Sequence, residues 1–333
     1  MDIFFGSPLR EDYTARPLTL VDVGARGGLQ PNWRKADRYL RVVAFEPDPD
    51  EHARLVHRAP ADGSKVYINA ALHRGEGELA LHLTRNAGAS SLLAPNRAFL
   101  DRFPEADRFD VMRDLPVRVD ALDAILAQNA VHGVDFLKID TQGAELAILE
   151  GATSTLAGSV FGVELEVNLA PLYRGQPAFG ELDKLLCSSG LQLMDLRPVY
   201  WKRARGARYG GPKGQLVFAD ALYFRTGERF QGHLARIAEH ERRGALLHAL
   251  SICLLYGYVD YAIELFTPNA GLFDESTAAH IRRELESDVR FSTRLPHFRG
   301  RGLLSHVFYR LHRLFFPTRG GWASGGRHLG NIE

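Results

Sequence analysis

Residues 134–151, VDFLKIDTQGAELAILEG, place two apolar runs on either side of a tight turn. The first run, Val134 to Ile139, is broken only by Asp135 and Lys138 and stops at Asp140. Thr141-Gln142-Gly143 supplies the turn, and Ala144 to Leu149 follows with helical spacing up to Gly151. The segment therefore reads as strand, turn, helix. Units of this kind build open α/β sheets, whose ligands lie outside the carboxyl ends of the strands. The carboxylate of Asp140 stands at such an end and is the first active-site candidate.

A second unit lies at residues 18–28, LTLVDVGARGG. Leu18 to Val23 reads as a buried strand, and Gly24, Gly27 and Gly28 form a loop ahead of a helix beginning near Pro31. Glycines let a backbone turn sharply and approach a ligand closely. The next strand, VVAFE at 42–46, ends on Glu46, where an acid holds a ribose diol through its two carboxylate oxygens. A nicotinamide or flavin dinucleotide calls for G-x-G-x-x-G, whereas this loop reads D-x-G-x-x-G-G. An acid ahead of the first glycine repels a pyrophosphate and attracts a cationic amino-acid ligand. S-adenosylmethionine (SAM) carries a sulfonium and an ammonium and no phosphate, so the pattern favours SAM. Asp22, Gly24, Gly27 and Gly28 are assigned to its methionine end, against the plainer reading of a strand-to-helix turn. Ala25 and Pro47, in the same two loops, join the cofactor set. Asn69-Ala70 closes a third strand, where an amide can read the adenine edge.

The segments VDVGARGG, FEPDPD, NAAL, GASSL, VDALDAIL, FLKIDTQGAELAILEGA and VFGVELEVNLAPLY occur in that order over about residues 18–226. Together they resemble the FkbM-type methyltransferases, a family of SAM-dependent O-methyltransferases. KIDTQGAE is specific to that family, while the glycine loop is shared by most class I methyltransferases. The resemblance implies a Rossmann-like sheet of seven strands, the last antiparallel, with SAM across strands one to three. It implies as acceptor a hydroxyl on a sugar, a glycan or a secondary metabolite, and it places the loop hydroxyls of Ser90 and Ser91 near the cofactor. Those serines are equally suited to capping a helix. Arg26 departs from the smaller or amide residue usual in the family and either reaches a substrate or points to solvent. Residues 227–333 match nothing in the family.

Methyl transfer to an alcohol needs an aligned acceptor and a group that takes its proton. Asp140 leads as that base. Glu164, Glu166 and Asn168 share one face of the following strand, as Lys138 and Asp140 do of theirs. If the two strands are neighbours, Lys138 pairs with Glu164 in the interior and Asp140 meets Glu166 at the open end. Two acids and an amide there also suit Mg²⁺, which takes oxygen ligands. His73, His82 and Tyr173 are further possible bases, though a lone histidine or tyrosine is more often structural.

The remaining expectations are broader. At 333 residues, 45% hydrophobic, the chain has material for a full core, and a net charge of +1 gives no general electrostatic case for nucleic acid. Cys187 and Cys253 read as buried free thiols. The first residues, MDIFFGSPLRED, lack the pattern of a secretory signal, and no apolar run is long enough to span a bilayer, so the cytoplasm is the default location. Further strands are read near 65–69, 77–83, 117–120 and 160–167 and in LQLMDL and QLVFADALYFR. Helices are read near 49–58 and 179–189, and residues 202–214 as a mobile loop. The chain divides into a lead-in (1–16), a methyltransferase domain (17–226) and a helical C-terminal region (227–333). Within the last, residues 300–316 form an amphipathic helix rich in arginine. It either docks on residues 228–290 or lies on an anionic membrane as a peripheral contact. The expected activity is O-methylation; the alternatives are N- or C-methylation on the same fold and a non-catalytic SAM- or partner-binding module.

Overall fold

The computed structural model of the chain describes residues 9–209, 213–287, 298–315, 321–326 and 328–331. Helix α1 (Arg10–Ala15) leads into strands β1 (Leu18–Val23) and β2 (Leu40–Phe45), which are joined through a 3₁₀ segment, Pro31–Tyr39. Helix α2 (Pro49–Arg58) precedes β3 (Lys65–Ile68), β4 (Ala71–Leu72) and β5 (Gly77–Thr84). A short helix α3 (Arg97–Leu100) and β6 (Val111–Asp120) follow, then α4 (Leu122–Gln128) and β7 (Phe136–Ile139). Helices α5 (Glu145–Glu150) and α6 (Thr153–Ala157) lead to β8 (Gly162–Asn168), and α7 (Phe179–Ser188) to β9 (Leu191–Trp201) and β10 (Gln215–Arg225). The C-terminal part holds α8 (Gly227–Arg236), α9 (Glu239–Leu255), α10 (Val259–Phe266), α11 (Glu275–Ser287), α12 (Arg301–Phe315) and β11 (Ala323–Gly325).

The main sheet runs β11-β9-β10-β8-β7-β1-β2-β3. β3, β2, β1, β7 and β8 are mutually parallel, and β10 inserts antiparallel between β8 and β9. This is the expected seven-stranded class I methyltransferase sheet, extended by β11 on the edge of β9. A smaller sheet, β4-β6-β5, stands beside it.

The two faces of the main sheet follow from strand periodicity. Val21, Val23, Val43, Leu137, Ile139, Val163 and Leu165 point to one face, under α4 to α7. Leu18, Leu20, Val42, Phe136, Leu222 and Phe224 point to the other, where they share one core with Tyr13, Trp33 and helices α8 to α11. Helix α9 is the centre of that second layer. Its residues Ala245 to Cys253 are all buried, so it carries no polar stripe over that stretch. Two polar clasps fix it: Arg243 donates twice to the Asp12 carboxylate, and His248 Nδ1 lies 2.9 Å from Asp135 Oδ1 at the start of β7.

Several local expectations change. Strand β6 starts at Val111 rather than near 117, because its first half is exposed and lacks an apolar alternation to read. The helix expected from Pro31 is a 3₁₀ segment. Cys253 is buried, but Cys187 is exposed on α7, with its thiol directed at Asp183. Of the expected loop 202–214, Ala204–Gly206 forms a 3₁₀ turn and residues 210–212 lie outside the described residues, as do residues 1–8 of the lead-in.

Tyr256, at the end of α9, joins the helical layer to the sheet. Its hydroxyl donates to Glu164 Oε2 at 2.5 Å and accepts from Trp33 Nε1 at 3.2 Å, and the tyrosine is fully buried. Tyr256→Phe leaves Glu164 and Trp33 short of a partner and should cost roughly 2–3 kcal/mol of stability, read by urea unfolding. A change below the error of that measurement would show the relay to be dispensable.

Candidate active site

The strand register sets a charged row across the sheet where the apolar second core ends. Asp22 of β1 stands opposite Lys138 of β7, and Lys138 stands opposite Glu164 of β8. Lys138 Nζ lies 3.0 Å from Asp22 Oδ1, with both side chains nearly inaccessible. The expected Lys138–Glu164 pair is therefore corrected. Lysine has an acid on each side and leans to Asp22, while Glu164 receives the Tyr256 hydroxyl. Desolvation acts against the Lys138 charge, but Asp22 and Asp140 outweigh it and hold its pKa above the ordinary lysine value. Burial pushes the Asp22 and Glu164 carboxyls upward; Lys138 pulls Asp22 back, while the Tyr256 hydroxyl and, less strongly, Lys138 pull Glu164 back.

One step further along the strands, a cavity of about 280 Å³ opens at the carboxyl ends of β1, β2 and β7. Gly24, Gly28, Glu46, Pro47, Ala70, Ser90, Ser91 and Asp140 of the expected site line it, joined by Arg26, Lys138, Thr141 and Gln142. Gly24 is the tightest point. Its φ is +81°, and a Cβ there would lie 2.0 Å from the Asp140 carbonyl oxygen. The Gly24 and Ala25 amides both donate to the Phe45 carbonyl, which fixes the loop against the end of β2. Asp22, Ala25 and Gly27 support the loop from outside the cavity lining; the Gly27 amide donates to Glu51.

Glu46 is 3% exposed, and its Oε1 accepts the Asp48 amide at 3.0 Å. Burial raises its pKa, and the Asp48 amide and Arg26 work against that rise. Arg26 neither points to solvent nor stands apart: it bonds Asp48 at 2.7 Å and lies 3.7 Å from Glu46 and from Glu51. Asp48 also caps α2 by accepting the Asp50 amide. Asn69 is outside the lining. Its amide nitrogen goes to the Glu46 and Pro47 carbonyls, so it braces the turn that carries Glu46.

The turn after β7 shapes Asp140. Gln142 adopts φ +60°, and its Nε2 donates to Asp140 Oδ1 at 2.9 Å. The buried carboxylate of Glu145 accepts the Thr141 amide, the Thr141 hydroxyl and the Gly143 amide, which fastens the turn from beneath. Sequence reasoning missed both residues, although an acid a turn beyond a threonine is a helix-start signal. Ser91 donates to the Gln142 carbonyl, and Ser90 accepts the Thr84 amide, so the two serines shape the wall they line.

The other expected bases stand elsewhere. Glu164 lies under Tyr256, outside the cavity lining. Glu166 also lies outside the lining, behind Asp140 and opposite Asp220 in the register. Burial pushes its carboxyl well above the ordinary range, with Asp140, Glu145 and Asp220 adding to the shift. The Tyr173 hydroxyl is buried against Gln142 Oε1 and the Ala89 carbonyl, and its pKa is raised. His82 pairs with Asp114 on the small sheet, and neither His82 nor His73 lines the cavity. Among the described residues, no three acidic, histidine or cysteine side chains converge as metal ligands. The Mg²⁺ considered from sequence finds no such cluster among the described residues.

The strand order and a glycine-edged cavity at the ends of the first, second and fourth parallel strands define a class I methyltransferase. The family model described as the methyltransferase FkbM domain matches residues 22–193, and the chain belongs to that family. Among solved structures, methyltransferase FkbM from Methylobacillus flagellatus KT is similar at 15% identity over 62% of this chain, with a TM-score of 0.36. The match spans 43% of that protein, less than half its length. A Burkholderia thailandensis 1,6-didemethyltoxoflavin-N1-methyltransferase with bound S-adenosylhomocysteine is similar at 15% identity, over 65% of this chain and 77% of that one, with a TM-score of 0.29. No curated protein matches the sequence.

Two outcomes follow from the site. Lys138→Met leaves Asp22 as a buried carboxylate without its cation, and should destabilise the protein by about 3–5 kcal/mol in chemical unfolding. Glu46→Ala removes a cavity carboxylate and should weaken SAM binding by about thirtyfold, the worth of roughly 2 kcal/mol in charge-assisted bonds, when titrated by calorimetry. Unchanged affinity would confine Glu46 to its structural bond with Asp48.

Proposed function

We propose that this chain transfers the methyl group of SAM to a hydroxyl oxygen of a sugar, a glycan or a secondary metabolite. The observation that carries the reading is the single cavity wall shared by the Gly24 loop, Glu46 and Asp140. Glu46 would hold the ribose hydroxyls, and the backbone of the 24–28 loop the methionine end. Ala70, Ala71 and Leu72 give the apolar wall that an adenine ring needs. Bound SAM supplies a methyl carbon already activated by its sulfonium.

The protein's own contribution is then alignment and removal of a proton. Gln142 fixes Asp140 by one oxygen, which leaves the other to take the acceptor's proton as the oxygen–carbon bond forms. Glu166 keeps its proton to higher pH than an ordinary glutamate, so Asp140 has a neutral neighbour over that range. Lys138 beneath Asp140 supplies the compensating positive charge. Asp140 thus faces the cavity from the end of β7, whereas Glu164 and Glu166 do not line it.

The test is turnover of Asp140→Asn on a panel of sugar and phenol acceptors, followed by release of S-adenosylhomocysteine. Loss of the base should lower kcat by about 10²–10⁴-fold, with SAM affinity little changed. Full turnover in the variant would remove Asp140 from the chemistry. Methyl found on nitrogen or carbon would replace the acceptor class and leave the donor site standing. SAM binding with no product from any acceptor would favour a binding module.

A further inference from the structure

Helix α12 stands apart from the packed helices. Its residues Gly302 to Leu311 are all exposed, so it does not dock on residues 228–290 through these side chains. Leu303 is 71% exposed and Phe308 63%, and Leu304, Val307 and Leu311 are exposed beside them. Single exposed apolar residues are common, but a contiguous set on one helix marks a surface that meets something.

At 100° per residue these five side chains fall within an arc of roughly 140°. Arg301 and Arg310 project just past its two opposite edges, about 20° beyond the last apolar position on each side. Long basic side chains in that position can lie along an apolar surface while their charged heads reach away from it. From 298 to 315 the sequence carries Arg299, Arg301, Arg310 and Arg313 and no acid. A helix of this length extends roughly 22 Å, and among the described residues no helix is long and apolar enough to cross a membrane.

We propose that α12 seats the protein on an anionic membrane surface. The apolar arc would enter the boundary between headgroups and acyl chains, and the flanking arginines would meet lipid phosphates. Charge decides between occupants. A second copy of the same helix would bring arginine against arginine along both edges of the contact, without an acid to answer them. An anionic bilayer satisfies the arc and both edges at once. Beyond α12 the chain is tied back to the sheet: the Trp322 carbonyl accepts the Lys202 amide at 2.7 Å, and β11 pairs with β9. The guanidinium of Arg108 lies over both Trp322 and Trp201, locking that return. The proposal is independent of the acceptor assigned above.

The experiment is co-sedimentation of the full chain with vesicles of phosphatidylcholine, with and without phosphatidylglycerol. Binding should rise with phosphatidylglycerol and fall with added salt. Leu303→Asp with Phe308→Asp should lower it at least tenfold, with an unchanged melting temperature and SAM affinity because both side chains are exposed. Arg301→Gln and Arg310→Gln should each cost about fivefold on the anionic vesicles, the worth of one basic side chain at such a surface. A wild-type chain that stays in the supernatant with anionic vesicles overturns the proposal, as does an aspartate pair that still binds. A dimer that the aspartate pair dissolves, without vesicle binding, would give the arc to a second copy and overturn it equally.

Discussion

A buried lysine in the middle of a parallel sheet organises this protein. Lys138 is almost wholly buried, so the strands on either side must supply acids. Asp22 makes the ion pair from β1, and Glu164 stands at the matching position on β8. Glu164 in turn is buried and takes a hydroxyl from Tyr256 at the end of α9. A charge placed on β7 thus sets requirements for β1, β8 and the C-terminal helices together. Below this row the sheet face is apolar and belongs to the core; above it the face is polar and belongs to the site. Of the row, Lys138 lines the cavity, so its failure would be felt at Asp140 as well as in overall stability.

The turn after β7 works on the same logic at shorter range. Its amides do not join the sheet, so a buried carboxylate from the first turn of the next helix takes them. That bond set holds Gln142 at a positive φ, a conformation costly for a residue with a Cβ. The amide of Gln142 is thereby aimed at Asp140, and Tyr173 and Ser91 hold Gln142 from behind. The local strain has a use: it fixes one oxygen of the candidate base. Gly24 contributes the complementary constraint. It brings the β1 loop against the Asp140 carbonyl at a distance no side chain would permit, and so joins that loop to the end of β7.

The parts of this arrangement that were legible in the sequence are those written in short-range pattern. The apolar runs ending at Val23, Phe45 and Ile139, and the glycines and acids that follow them, locate the sheet ends and the cavity. What was not legible depends on contacts distant in sequence. Strand alternation pairs Lys138 with Glu164, but the register with β1 sets Asp22 beside the lysine, and Tyr256, more than ninety residues beyond Glu164, takes that glutamate. Glu166 reads as an open-end carboxylate by strand alternation, yet Asp220 of β10 stands opposite it and shuts it in. The amphipathic pattern of residues 300–316 suits docking and membrane seating alike, because both need one apolar face; only the folded chain shows that Leu303, Leu304, Val307, Phe308 and Leu311 are exposed.

The helical C-terminal region therefore has two physically different parts. Helices α8 to α11 share their core with the sheet, and α9, buried on all sides over much of its length, fills the space above β1, β7 and β10. Removing them would expose Phe136, Leu222 and Phe224 and leave Glu164 without its donor, so this part is a layer of the fold in physical terms. Helix α12 leaves nothing comparable uncovered within the body. The described apolar side chains of α12, Leu303, Leu304, Val307, Phe308 and Leu311, face outward and take no part in that layer. The requirement for α8 to α11 therefore lies in stability, and the exposed face of α12 is what the proposed membrane seat would use.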